Sequence, residues 1–209
     1  MSRMGPREPA AVTLVGRLSI NDLLWVANTR HGPAAHWHAR VRGDEPGHDH
    51  LLDPDDARRY LADHRVPVPA GPPDPATLDR LRLMRDAVER LAGTDEEPAP
   101  GKPDIRLPDV TFRLDAGDRI RATGAGWRAF VGDLVPPLLA LSRRRARLAR
   151  CGNPACRLTF LDDTRNHARR WCDPGGCGNR VRVRRARRAR LTGSDADVVI
   201  QPAVGQPPR

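Results

Sequence analysis

All four cysteines of this 209-residue chain lie within 27 residues, as Cys151, Cys156, Cys172 and Cys177. They form two Cys-x4-Cys pairs separated by 15 residues, and the rest of the chain has no thiol. Two short knuckles brought together by a strand or turn supply the four soft ligands that tetrahedral zinc needs. Turn-forming residues fill both loops: Gly152, Asn153 and Pro154 in the first, Asp173, Pro174, Gly175 and Gly176 in the second. The competing readings are two disulfides or four unconnected thiols. Disulfide frameworks belong to small exported scaffolds, and the N-terminus has no apolar run of signal-peptide type. The reading is therefore one structural Zn²⁺ in a cytoplasmic protein. Four thiolates close the coordination sphere and leave no place for a reactive water.

The charge is as localised as the thiols. The formal net charge is +10, yet residues 143 to 193 carry 16 arginines against three acids, so the remainder is net negative. Two thiolate pairs and one divalent cation leave that segment strongly basic. Its apolar residues, chiefly Leu158, Phe160, Leu161 and Trp171, are too few for an independent core, so metal binding and folding of the segment are expected to be one event. Residues 178 to 191 read as a helix with Arg180, Arg182, Arg184, Arg185, Arg187 and Arg188 spread around it, and a second cluster, Arg165, Arg169 and Arg170, lies between the cysteine pairs. Like charges at this density repel along a helix, whereas phosphates neutralise them with release of counterions. These nine arginines are the expected nucleic-acid contacts, with DNA placed ahead of RNA; a solvated basic tail is the plain alternative. Trp171 either stacks on a base or packs behind the metal site.

The larger N-terminal portion carries clear helix signals. Ser19 or Asn21 caps a short helix through Leu23, Leu24 and Ala27, and Asp53-Pro54-Asp55-Asp56 opens another with a capping carboxylate and proline at its first position. Asp74-Pro75 opens the strongest helix, with Leu78, Leu81, Met84, Val88 and Leu91 at helical spacing and Gly93 as its stop. Residues 94 to 102 read as a solvated loop. Val110 to Leu114 and Arg119 to Ala122 alternate around a turn and predict a β-hairpin. From Trp127 to Leu141 an apolar helix is expected, bent or restarted at Pro136-Pro137. His36, His38, His48 and His50, with Asp44, Glu45 and Asp49 nearby, form a second candidate metal region, set against surface loop histidines. No phosphate-cradling glycine loop, nucleophile elbow or long apolar span is present, so neither an enzyme nor a membrane protein is expected.

Cys-Gly-Asn-Arg at 177 to 180, preceded by Arg-Arg-Trp-Cys at 169 to 172 and by Phe160 to Asn166, resembles the CGNR zinc finger. Thr164 stands where that family has serine, and the family's methionine between the last two ligands is replaced; the ligands are untouched. In that family the finger follows a larger domain known as the ABATE domain, which Asp22-Leu23-Leu24, Asn28-Thr29-Arg30 and the Leu78 to Leu91 helix resemble. The resemblance implies a stress-induced transcription regulator whose larger domain senses a small effector or forms a homodimer while the finger binds nucleic acid. Two other functions compete: an RNA- or ribosome-associated zinc protein without a switch, and a module that binds an acidic partner protein. The expected architecture is α+β: a tail at 1–13, a mostly helical domain with a hairpin at 14–149, a zinc finger at 150–192 ending in a basic helix, and a tail at 193–209.

Overall fold

The computed structural model describes residues 17–30, 47–92, 106–107, 110–116, 119–144, 147–156 and 158–193. The N-terminal tail, His36 and His38, Gly93, the loop at 94–102 and residues 194–209 lie outside the described residues.

Short helices wrap one long helix. The first, α1 (Ile20–Ala27), starts where Ser19 accepts from the Asp22 N–H while the Asp22 carboxylate accepts from the Ser19 N–H at 2.7 Å, a reciprocal capping box. A 3₁₀ turn (His50–Leu52) leads into α2 (Pro54–Asp63), where Asp53 accepts from the Asp56 N–H at 2.7 Å and Pro54 opens the helix. The long α3 (Pro75–Ala92) starts at Asp74, whose carboxylate accepts from the Thr77 N–H at 2.7 Å. Its Leu78, Leu81, Met84, Ala87 and Val88 are buried, and α1 lies along this face.

Strands β1 (Phe112–Leu114) and β2 (Ile120–Ala122) pair antiparallel with Arg113 opposite Arg121. The hairpin docks on α4 (Gly126–Asp133) through two residues. Gly132 leaves room for it, since a Cβ there would sit 2.5 Å from the Ala122 Cβ, and the buried Asp133 carboxylate accepts from the Ala122 N–H at 3.0 Å. The apolar helix expected to bend or restart at Pro136-Pro137 restarts there: α4 ends at Asp133 and α5 (Val135–Arg143) begins one residue before the pair. Pro136 and Pro137 sit in the first turn of α5, where their missing N–H groups had no intrahelical partner to lose.

The C-terminal part consists of β3 (Leu148–Arg150), β4 (Thr159–Leu161), a π-helical turn (Pro174–Gly178) and α6 (Asn179–Gly193). Strands β3 and β4 are antiparallel, with Leu148 opposite Leu161. The boundary expected near residue 149 falls inside β3. Leu148 belongs to the core of the helical body, and the buried Asn28 at the end of α1 holds β4 by two hydrogen bonds: its amide donates to the Thr159 carbonyl and accepts from the Thr159 N–H, each at 2.9 Å.

His48 and His50 meet at Asp56 in the first turn of α2. His48 Nε2 lies 2.5 Å and His50 Nδ1 2.8 Å from the same Asp56 oxygen, while the Arg59 guanidinium donates to the other at 2.6 Å. The buried His50 ring stacks on Tyr60, centroid to centroid 4.1 Å, and the Tyr60 hydroxyl donates to the Asn28 carbonyl. Burial alone would raise the Asp56 carboxyl, but the hydrogen bonds from His48 and His50, with the charge on His50, hold it below the ordinary carboxylate value. A depressed folded pKa contributes stability at neutral pH that is lost as the pH falls through it. Asp56→Ala is expected to cost about 3 kcal/mol at pH 7 by removing the buried acceptor shared by His48, His50 and Arg59, with a smaller penalty in acid; urea unfolding at several pH values measures it.

Candidate metal centre

Each cysteine reaches the site from a different piece of local structure. Cys151 follows β3, and its N–H donates to the Leu158 carbonyl at 2.8 Å, which prolongs the β3–β4 ladder by one rung. Between them the chain turns back through the buried Asn153, whose carbonyl accepts from the Cys156 N–H at 2.8 Å. Cys172 lies at a bend after the loop, and Cys177 sits in the π-helical turn that runs directly into α6. The Asp173 carboxylate starts that turn by accepting from the Gly175 N–H at 3.0 Å.

The four Sγ atoms all lie within 4.8 Å of one another. Cys172 is 3.6 Å from Cys156 and 3.7 Å from Cys177. A disulfide needs about 2.05 Å. A tetrahedral zinc with bonds of about 2.3 Å to each sulfur puts its ligands about 3.8 Å apart, close to the two separations from Cys172. Cys151, Cys156 and Cys177 are buried and Cys172 is half-buried. The donor set and its dimensions fit a single zinc ion held by these four residues.

The electrostatics of the thiols carry the same demand. Hydrogen bonds from the Cys156 and Cys172 thiols, then N–H groups of Cys172 and Asn153, hold the Cys151 thiol down to about 2 against the cost of burial. Those hydrogen bonds to Cys151, with burial added, push Cys156 and Cys172 up. One thiolate is welcome in the cage, and more crowd one another unless a cation joins them.

Around the sulfurs a polar shell fixes the loops. The Asn153 amide donates toward the Cys177 sulfur at 3.6 Å. The Trp171 ring lies between the glycines of the two knuckles: a Cβ on Gly152 would come 3.1 Å from the ring and one on Gly178 2.9 Å. Trp171 thus packs the back of the cage, the plainer of its two expected roles. The apolar cluster here holds only Leu158 and Phe160 besides three cysteines, with Ala149, Trp171 and Cys172 against it.

Two residues of the intervening loop have parts the sequence did not suggest. Asp162 is buried and accepts from the Thr164 N–H at 2.9 Å, the Thr164 hydroxyl at 2.5 Å and the Arg169 N–H at 2.9 Å, so it ties both ends of the loop. Asp-x-Thr, an Asx-turn pattern, is the signal that could have found it. Arg169 is half-buried, with Nε donating to the Trp171 carbonyl at 2.8 Å, Nη2 to the Cys172 carbonyl, and its guanidinium 4.8 Å from the Phe160 ring centre. The remaining arginines face outward. Arg165 and Arg170 are exposed on the loop, Arg180 is half-buried at the start of α6, and Arg182, Arg184, Arg185, Arg187 and Arg188 are exposed along it.

His48, His50 and Asp56 are the other described group whose ligand atoms converge, also within 4.8 Å, whereas His36 and His38 lie outside the described residues. No curated protein matches the chain. Residues 147–190, from just before β3 to the last turn of α6, match the family model of the CGNR zinc finger, and this match encloses all four cysteines of the cage.

Proposed function

We propose that the chain is a DNA-binding transcription regulator, not an enzyme, whose finger holds one structural zinc through Cys151, Cys156, Cys172 and Cys177 and grips the nucleic-acid backbone with its arginines. The observation that carries this reading is the exposure of every residue from Arg182 to Arg190 on a helix rooted directly in the cage. So many like charges on one exposed helix repel one another, and phosphates would neutralise them with release of counterions. Arg165, Arg170 and Arg180 extend the basic surface, and Arg169 serves it by shaping the loop.

The helical body is read as an ABATE-type domain, since Asn28, in the Asn28-Thr29-Arg30 stretch that suggested it, clamps the finger. A cavity of about 410 Å³ between α1 and the finger, lined by Trp25, Asn21 and Phe160 among others, is where a small effector would act on both parts.

Salt titration of the zinc-loaded chain against duplex DNA, single-stranded RNA and polyglutamate tests this. Affinity for DNA is expected to fall about 10³-fold or more between 50 and 200 mM salt if six or more phosphates are engaged. A nearly flat response counts against phosphate contact; preference for RNA supports the RNA-associated alternative, and binding to polyglutamate alone the acidic partner.

A further inference from the structure

We propose that α6 lies inside the major groove of duplex DNA, with phosphates on both of its flanks. This rests on the reading of the finger as a nucleic-acid module and adds where and how the helix sits.

The argument comes from the distribution of charge around the axis. Arg180, Arg182, Arg184, Arg185, Arg187, Arg188 and Arg190 follow one another around α6 so that, at 3.6 residues per turn, no gap between them exceeds about 80°. Val181, beside the cage, is buried, and every residue from Arg182 to Leu191 is exposed. Among the described residues, burial is thus concentrated at the root of the helix. The Arg184 guanidinium still reaches the Asn153 side-chain oxygen, at 3.4 Å, next to the cage.

A partner on one side, such as a single strand or a flat acidic protein face, neutralises at most about half of such a circumference. The arginines pointing away from it would remain as mutual repulsion. A groove with an anionic wall on each side neutralises both flanks. The major groove of B-DNA, about 12 Å wide, admits a helix about 10–12 Å across, whereas the deep, narrow major groove of A-form RNA does not. From Arg182 to Gly193 the helix is about 18 Å long, enough to follow about five base pairs. The rigid connection from Cys177 through the π-helical turn sets its angle of entry.

Two double variants on opposite flanks test the placement in the full zinc-loaded chain. Arg182→Ala with Arg190→Ala removes one flank, and Arg184→Ala with Arg188→Ala the other; neither pair includes a zinc ligand or a buried residue. Each pair is expected to flatten the slope of log affinity against log salt by about 2. Methyl green, which fills the major groove, is expected to weaken binding more than tenfold, and netropsin, which fills the minor groove, to leave it unchanged. One pair leaving the slope unaltered, undiminished binding to methyl-green-saturated duplex, or equal affinity for duplex RNA of the same length would each overturn the groove placement while sparing the proposed function. Failure to bind any nucleic acid with one zinc per chain would overturn both.

Discussion

Cys177→Ser is expected to lower bound zinc from one ion per chain to well below half and to unfold the segment around the cage while the helical body stays folded. Cys177 is buried, so the variant places a poor ligand where nothing else can replace the lost sulfur. The apolar contacts available to the segment are then Leu158 and Phe160 with Trp171 and Ala149. Full burial of such side chains contributes about 2–3 kcal/mol each, against about 1 kcal/mol of backbone entropy for every residue kept ordered across both knuckles and the loop. Structural zinc contributes on the order of 10 kcal/mol or more in small fingers, and that contribution is what disappears. Loss is expected to be local. Leu148 lies in the core of the body and Asn28 holds Thr159, so amides near β3 and β4 keep part of their protection while those at 151–156 and 162–178 lose it. Hydrogen exchange read by mass spectrometry, with metal analysis of the same sample, makes the comparison. Unchanged protection in zinc-free protein would mean that the segment is held by something other than its metal.

The cage was readable in the sequence because metal chemistry leaves a local trace: four thiols, two loops and turn residues all lie within one short stretch. Helix starts were readable for a similar reason, since Ser19, Asp53 and Asp74 each act on the N–H group three residues away. What the sequence hid was long-range. Nothing marks Asn28 as a clamp on Thr159, its partner 131 residues later, or Leu148 as a member of the body's core. Arg169 was hidden differently: in a run of arginines the one that folds inward has the same letter as those that face solvent. Only the carbonyls of Trp171 and Cys172 and the Phe160 ring distinguish it. The proline pair at 136 and 137 marked a bend or a restart without choosing between them, since prolines suit the first turn of a helix as well as they suit a bend.

That distinction between inward and outward arginines yields the last prediction. Replacing Arg182, Arg184, Arg185, Arg187 and Arg188 together by alanine is expected to weaken DNA binding about 10³-fold at 0.15 M salt, the sum of five phosphate contacts at a salt slope of about 0.9 each. Zinc content is expected to stay at one ion per chain, because all five side chains are exposed, none is a ligand, and Arg184 reaches the surroundings of the cage through a long 3.4 Å contact to Asn153. Alanine is the strongest helix former, so α6 itself is not weakened by the change. Arg169→Ala makes the opposite cut. It removes one charge from the segment but three contacts from the second knuckle, so the metal is expected to leave more readily to a competing chelator while the salt slope of the zinc-loaded protein changes little. Chelator competition and salt-titrated binding on both variants read the two effects separately. If the five-fold variant lost zinc together with DNA affinity, the exposed arginines would be part of the fold, and their use in recognition would need another argument.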